Sequence, residues 1–147
     1  MSCACDRDVR DGRSGQAVVE FALILPVFML MLFGAIEFGR AYYTLHLLTN
    51  AAREGARTGA LPEQLESDVS TVVDNFLDNA GLGGTWLSAV VVTDDGGTER
   101  GGGMTDAVEG DRVHVTVSHD FEVMSGRIIP GFTGTVVLRG RCVFRHE

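Results

Sequence analysis

The 147-residue chain has no lysine, so all 12 of its basic residues are arginine, and 20 acidic residues outnumber them for a net charge of −8. That balance excludes the broad positive footprint of a nucleic-acid-binding protein. Cysteine is scarce too: only Cys3, Cys5 and Cys142 occur, the first two almost adjacent, which excludes the dense disulfide framework of a small secreted scaffold. No phosphate-cradling glycine motif and no nucleophile elbow is present. His114 and His119 fall on opposite faces of one strand pattern, with no third ligand at helical or turn spacing, so they do not grip one metal. His119 lies in line with valines and reads as a partly buried histidine. These absences point away from an enzyme, a metal protein or a cofactor-binding protein.

What the chain does have is apolar residues, 45% of the total against 22% charged, and they are concentrated. Ala17 to Ile36, AVVEFALILPVFMLMLFGAI, holds a single charge, Glu20, and a helix of that length spans about 30 Å, the thickness of a bilayer core. The residues before it, MSCACDRDVRDGRSG, balance three Arg against three Asp and read as a leader too hydrophilic to pack. Arg7, Arg10 and Arg13 before the span are matched by Arg40, Arg53 and Arg57 after it, so the positive-inside rule does not orient it. Glu20, Pro26 and Gly34 are residues for which a plain lipid anchor has no use. A carboxylate in the bilayer interior costs about 2.5 to 3.5 kcal/mol on insertion scales, unless Glu20, near one end of the span, reaches the interface; Pro26 removes a helical amide donor, which transmembrane helices also tolerate as an ordinary kink.

Around the start of the span, Gly15-Gln16-Ala17-Val18-Val19-Glu20-Phe21 sets a small residue before five residues ending in a carboxylate, followed by an unbroken apolar run. This resembles a prepilin peptidase site, cut after Gly15 so that Gln16 becomes the first residue and Glu20 the fifth. The longer stretch from Gly15 to Arg57 resembles the TadE-like family, the minor pilins or pseudopilins of tight-adherence (type IVc) systems. Gly15, Glu20, Pro26, Glu37-Phe38-Gly39-Arg40 and Asn50-Ala51-Ala52-Arg53-Glu54-Gly55 stand in family order. The resemblance implies a leader over 1–15 removed by prepilin peptidase, a single span with its N-terminus cytoplasmic in the bacterial inner membrane, and a C-terminal domain outside that later reaches the cell surface. It implies as partners other minor and major pilins, the prepilin peptidase and the inner-membrane assembly platform, with no nucleic acid and no cofactor. It assigns assembly to Glu20, Phe21 and Pro26. The carboxylate pairs with the new Gln16 amine of a neighbouring subunit or with its own, one turn away. Major pilins of these systems resemble short chains with Glu-Tyr here; this chain has Glu20-Phe21 and a long C-terminal part, so its work lies in the added domain or at a fibre end.

The helical pattern continues past the span. Phe38, Ala41, Leu45, Leu48, Ala52, Gly55 and Gly59 recur at steps of three and four, predicting a helix over 16–60 in which Phe38, Leu45, Leu48 and Ala52 pack. The members shrink from Phe and Leu to Ala and Gly, as close approach to a sheet requires. Pro62 closes this element. Leu65, Val69, Val72, Val73, Phe76, Leu77 and Ala80 mark a second amphipathic helix ending at Gly81. Beyond Gly84 the period becomes two. Trp86–Thr93 is apolar enough for a central strand; 112–123 alternates with Val113, Val115, Val117, Phe121 and Val123 on one face; and 135–144 alternates with Val136, Leu138, Gly140, Cys142 and Phe144 on one face. The class expected for 61–147 is therefore α+β, a small antiparallel sheet of about three strands packed on the helices. The acidic face of the second strand is expected beside the arginine face of the third.

Asp94 to Gly110, rich in glycine and acids, reads as a mobile solvated connection without the ordered ligand alternation of a calcium loop. The apolar segment 124–134, with Ile128, Ile129, Pro130 and Phe132, folds back over the sheet or offers a patch to another pilin. Cys142, on the apolar face, reads as a small core residue. Three functions stay open: a minor pilin that starts, caps or decorates a tight-adherence fibre; an adhesin module presented on one; and an exported envelope protein cut by ordinary signal peptidase at Gly39-Arg40-Ala41.

Overall fold

A computed structural model describes residues 11–124 and 134–147, with side chains from Gly15 onward. Cys3, Cys5 and most of the leader lie outside the described residues, as do Ile128, Ile129, Pro130 and Phe132 of the 124–134 segment. The elements are α1 (Asp11–Gly59), α2 (Glu66–Asn79), β1 (Trp86–Thr93), a short 3-10 turn (Gly103–Asp106), β2 (Arg112–Glu122) and β3 (Thr135–Arg145). Two helices followed by an antiparallel three-stranded sheet make the expected α+β architecture.

The chain divides into two units, Met1–Ile36 and Glu37–Glu147. In the first, every described side chain from Gly15 to Ile36 is exposed. Its most apolar 18-residue stretch has a mean hydropathy of 2.4, and the helix is long and apolar enough to cross a membrane.

The second unit begins at Glu37, inside α1. Its core joins Leu48, Ala51, Ala52 and Ala56 of α1, Val69, Val73 and Leu77 of α2, and Val92, Val113, Val115 and Val117 of the sheet. Both helices thus cover one sheet face. The shrinking side chains of α1 work as expected: a Cβ on Gly55 would lie 2.7 Å from Val73 Cγ2, and one on Gly59 would lie 3.1 Å from Val113 Cγ1. The sheet reciprocates at Gly140, where a Cβ would overlap the backbone of Leu48 and Thr49. Of the packing stripe, Leu48 and Ala52 are fully buried within this chain, whereas Phe38 is 74% exposed and Leu45 37%; Thr44, beside Leu45, is buried.

Helix α2 starts with Leu65 N–H donating to the Asp68 carboxylate at 2.9 Å, half of a capping box. It ends in a Schellman motif: Leu82 N–H donates to Leu77 O, Gly81 N–H donates to Asp78 O, and Gly81 takes φ +72°. Trp86 Nε1 donates to Asp74 Oδ1 at 2.7 Å, tying β1 to α2.

The strand order is β1-β2-β3. The central strand is β2, not β1 as its apolar run suggested; β1 is an edge strand with alternating burial and Leu87 73% exposed. In β2, Val113, Val115, Val117 and Phe121 are buried as predicted, and His119 joins them. On β3 only Leu138, Gly140 and Cys142 are covered, while Val136 and Phe144 at its ends are exposed. The antiparallel pairing of β2 with β3 holds and the two faces lie side by side as expected, but no acid stands directly opposite an arginine. Arg139 faces Ser118, Arg141 faces Thr116, Arg145 faces Arg112, and Asp120 faces Val137. The register is set by the apolar face instead.

The connection from β1 to β2 is largely exposed, as expected, but is tied to the unit at several points. Arg100 N–H donates to Val92 O, Met104 is buried, and the Arg100 guanidinium grips the Asp111 carboxylate with bonds of 2.9 and 3.0 Å.

Candidate processing and assembly site

The residues singled out around the span all lie on α1. Gly15 and Gln16 sit within the continuous helix, four residues in from its first residue, Asp11. Gln16 Nε2 donates to Glu20 Oε1 at 3.4 Å, one turn on. Glu20 and Phe21 are exposed, as are their apolar neighbours Val18, Val19, Leu23 and Ile24. Pro26 stands inside the helix and, lacking an N–H, leaves the carbonyl of Ala22 without its intrahelical donor.

This geometry fixes what a cut after Gly15 would do. The Gln16 nitrogen would change from a helical amide into an ammonium at the positive end of the helix dipole, with Glu20 one turn away. A carboxylate in that place accepts from an amine of its own chain or of a neighbouring one. Without such a partner, a charge among apolar helices carries a desolvation cost of several kcal/mol.

The globular unit adds a second set of residues whose part in the fold the sequence did not reveal. Glu37 Oε2 accepts the Met124 N–H at 3.0 Å, and its Oε1 pairs with Arg40 at 3.3 Å. The Arg40 guanidinium lies 5.1 Å from the centroid of the Phe121 ring. The Glu37-Phe38-Gly39-Arg40 block thus fastens α1 to the end of β2; a spacing of three between opposite charges was the only sequence signal for it. Phe38 takes no part in that clamp and stacks outward on Tyr42, with centroids 6.3 Å apart.

His119 Nδ1 lies 2.9 Å from Thr85 O, the partly buried, bonded histidine expected. His114, on the opposite face of β2, contacts Thr93 and Arg141. Burial, followed by the charges of Arg141 and Arg112, lowers the His114 pKa below its usual value. The Asp111 pKa is also lowered, chiefly by the hydrogen bond from Arg100 and then by that from the Val108 N–H. Among the described residues, no three His, Cys, Asp or Glu side chains are grouped to hold a metal ion.

The TadE-like protein model matches residues 15–57. No curated protein and no solved structure matches the chain. The matched stretch coincides with the one whose motifs resemble that family, and it carries Gly15, Glu20, Pro26 and the Glu37–Arg40 clamp: residues 15–57 are similar to TadE-like proteins and include both the membrane-length apolar stretch and the α1 residues that enter the core of the α+β unit.

Proposed function

We propose that this chain is a minor pilin, or pseudopilin, of a tight-adherence type IVc system, processed after Gly15 and then built into or onto a fibre that mediates surface adhesion. The observation that carries the reading is Glu20. It is the lone carboxylate of an otherwise apolar, fully exposed helical stretch, five residues after a glycine, within the TadE-like match. A monomeric lipid anchor gains nothing from that carboxylate, whereas re-burial among other helices gives it an amine to pair with. Before assembly the chain is held by one span with its N-terminus in the cytoplasm and the α+β unit outside the inner membrane. Its partners are the prepilin peptidase, the assembly platform and other minor and major pilins. The reading assigns the chain no catalysis.

Ordinary signal-peptidase cleavage at Gly39-Arg40-Ala41 fits less well. It would cut α1 in mid-helix and detach Glu37 and Arg40 from Met124 and Phe121. The adhesin reading is compatible with the proposal, as a property of the added α+β unit.

The mature N-terminus, determined by mass spectrometry on the membrane-purified protein, tests the proposal. Gln16 is the expected first residue; Met1 would indicate a plain anchor and Tyr42 an exported domain. Glu20→Gln is expected to remain in the membrane while its recovery with sheared surface fibres drops at least tenfold. Wild-type recovery of that variant would remove the assembly role.

A further inference from the structure

Charge is sorted within the globular unit. Residues 61–82, the α2 region, carry Glu63, Glu66, Asp68, Asp74 and Asp78 and no basic residue, whereas β3 carries Arg139, Arg141 and Arg145 and no acid. The described salt bridges join Arg40 to Glu37, Arg57 to Glu54, Arg100 to Asp111 and Arg112 to Asp95. Neither group is neutralised by them.

The two groups also lie on opposite layers. Helices cover the sheet face that carries Val113, Val115 and Val117. The other face shows cross-strand rows Leu87-Ser118-Arg139 and Ala89-Thr116-Arg141, with exposed Leu87 in line with Arg139, exposed Val137 and Val143 flanking the two arginines, and the acids Asp120 and Glu122 confined to one end of the face, opposite Val137 and Thr135. Arg141 binds a histidine held toward its neutral form, so its charge is not cancelled there. Helix α2 buries Val69, Val73 and Leu77 against the inner face and leaves Asp68 and Asp78 exposed.

We infer that the outer face of the sheet docks a second copy of this chain through the acidic side of that copy's α2 region. Arg139 and Arg141 meet Glu63, Asp68 and Asp78, and the exposed aliphatic side chains supply the apolar part of the contact. Because donor and acceptor surfaces lie on different layers, the contact is heterologous: each copy that accepts a neighbour still offers a free face to the next. Such a contact builds a ring or an open array and not a two-fold dimer. This contact does not depend on processing at Gly15, so it can fail while the pilin reading stands, and the reverse.

The test uses the full-length chain in detergent micelles, mixed from normal and 15N-labelled copies, with a photo-crosslinking amino acid in place of Leu87. Crosslinks between labelled and unlabelled copies are expected to map to residues 61–82. Their yield should fall when salt is raised from about 0.05 to about 0.5 M. It should drop at least tenfold in the double variant Arg139→Glu, Arg141→Glu. Adding Glu63→Arg and Asp78→Arg to that variant should restore it, which also shows that the reversed sheet still folds. Crosslinks confined to single copies, crosslinks landing elsewhere, or a yield unmoved by charge reversal would each overturn the inference, as would failure of the four-residue variant to recover despite unchanged circular dichroism.

Discussion

Arg141 and His114 meet diagonally across β2 and β3, and the arginine decides which imidazole nitrogen carries the proton. Arg141 Nη2 donates to His114 Nδ1 at 2.8 Å, which leaves Nε2–H to donate to Thr93 Oγ1 at 2.9 Å. All three strands are joined through one neutral ring. An imidazolium there would lose its acceptor and face Arg141 and Arg112 as a third cation.

The stability of the globular unit should therefore depend on this ring. The folded pKa of His114 lies below the unfolded value of about 6.5, so the unfolded chain takes up the proton first. The contribution of His114 is complete above about pH 6.5 and declines as pH falls toward the folded pKa. Thermal denaturation from about pH 7.5 to about pH 5 should show wild type losing stability faster than His114→Gln, which keeps a donor and an acceptor but does not titrate. Parallel curves for the two proteins would refute this.

Asp111 works in a lower window. Its folded pKa lies below that of an ordinary carboxylate because Arg100 and the Val108 N–H hold the charged form. Its stabilisation is complete above the unfolded pKa of about 3.9 and is lost as pH falls through the folded value. Asp111→Asn should melt below wild type at neutral pH, and the gap should narrow below about pH 4 as the native carboxylate protonates. The same variant should loosen the β1–β2 connection, measured as faster amide exchange at Arg100 and Gly103, whose N–H groups donate to Val92 O and Arg100 O.

Gly140 and Gly34 make a matched pair. A methyl on Gly140 would collide with the backbone of Leu48 and Thr49, which cannot move aside as a flexible side chain would, whereas one on Gly34 meets nothing within 4 Å. Gly140→Ala should destabilise the globular unit by about 1 to 3 kcal/mol. Gly34→Ala should leave its melting curve in place. Chemical denaturation followed by Trp86 fluorescence distinguishes them.

Periodicity was legible where one partner covers one face. The alternation of Val113, Val115 and Val117, and the Val69, Val73, Leu77 stripe, predicted the burial found, because each face meets a single apolar layer. The Gly55 and Gly59 end of the α1 stripe was legible for the same reason. Composition misled at β1, where an apolar run suggested cover on both faces but only the helix side is covered. At residues 94–110 the solvated composition was legible, but the Arg100–Asp111 pair and buried Met104 that tie that connection were not, because contacts eleven residues apart leave no periodic trace. Phe38 and Leu45 belong to the apolar stripe but are not covered by their own chain, and step counting records only that a face is apolar. It does not say whether the covering partner belongs to the same chain. At the candidate site, the glycine, the carboxylate and the proline were visible as breaches of an apolar run, whereas the bonds of Glu37 to Met124 and Arg40 to Phe121 span more than eighty residues and were not.

That last distinction separates two leucines one turn apart. Leu48 is fully buried in the core and Leu45 is partly exposed beside outward-facing Phe38 and Tyr42. Leu48→Ala removes a core side chain whose cavity the sheet cannot fill, at a cost of about 2 to 5 kcal/mol, and should reduce the amount of folded protein wherever it is measured. Leu45→Ala and Phe38→Ala remove side chains that their own chain does not cover, so melting should change by no more than about 0.5 kcal/mol. If the apolar face of α1 is re-buried among other helices, as the proposed function requires, these two variants should lower recovery in sheared fibres at normal membrane levels. Leu48→Ala should lower both in proportion. Normal fibre recovery for Phe38→Ala and Leu45→Ala together would show that the face is not used in assembly, and the requirement for re-burial would then rest on the segment from Gln16 to Ile36 alone.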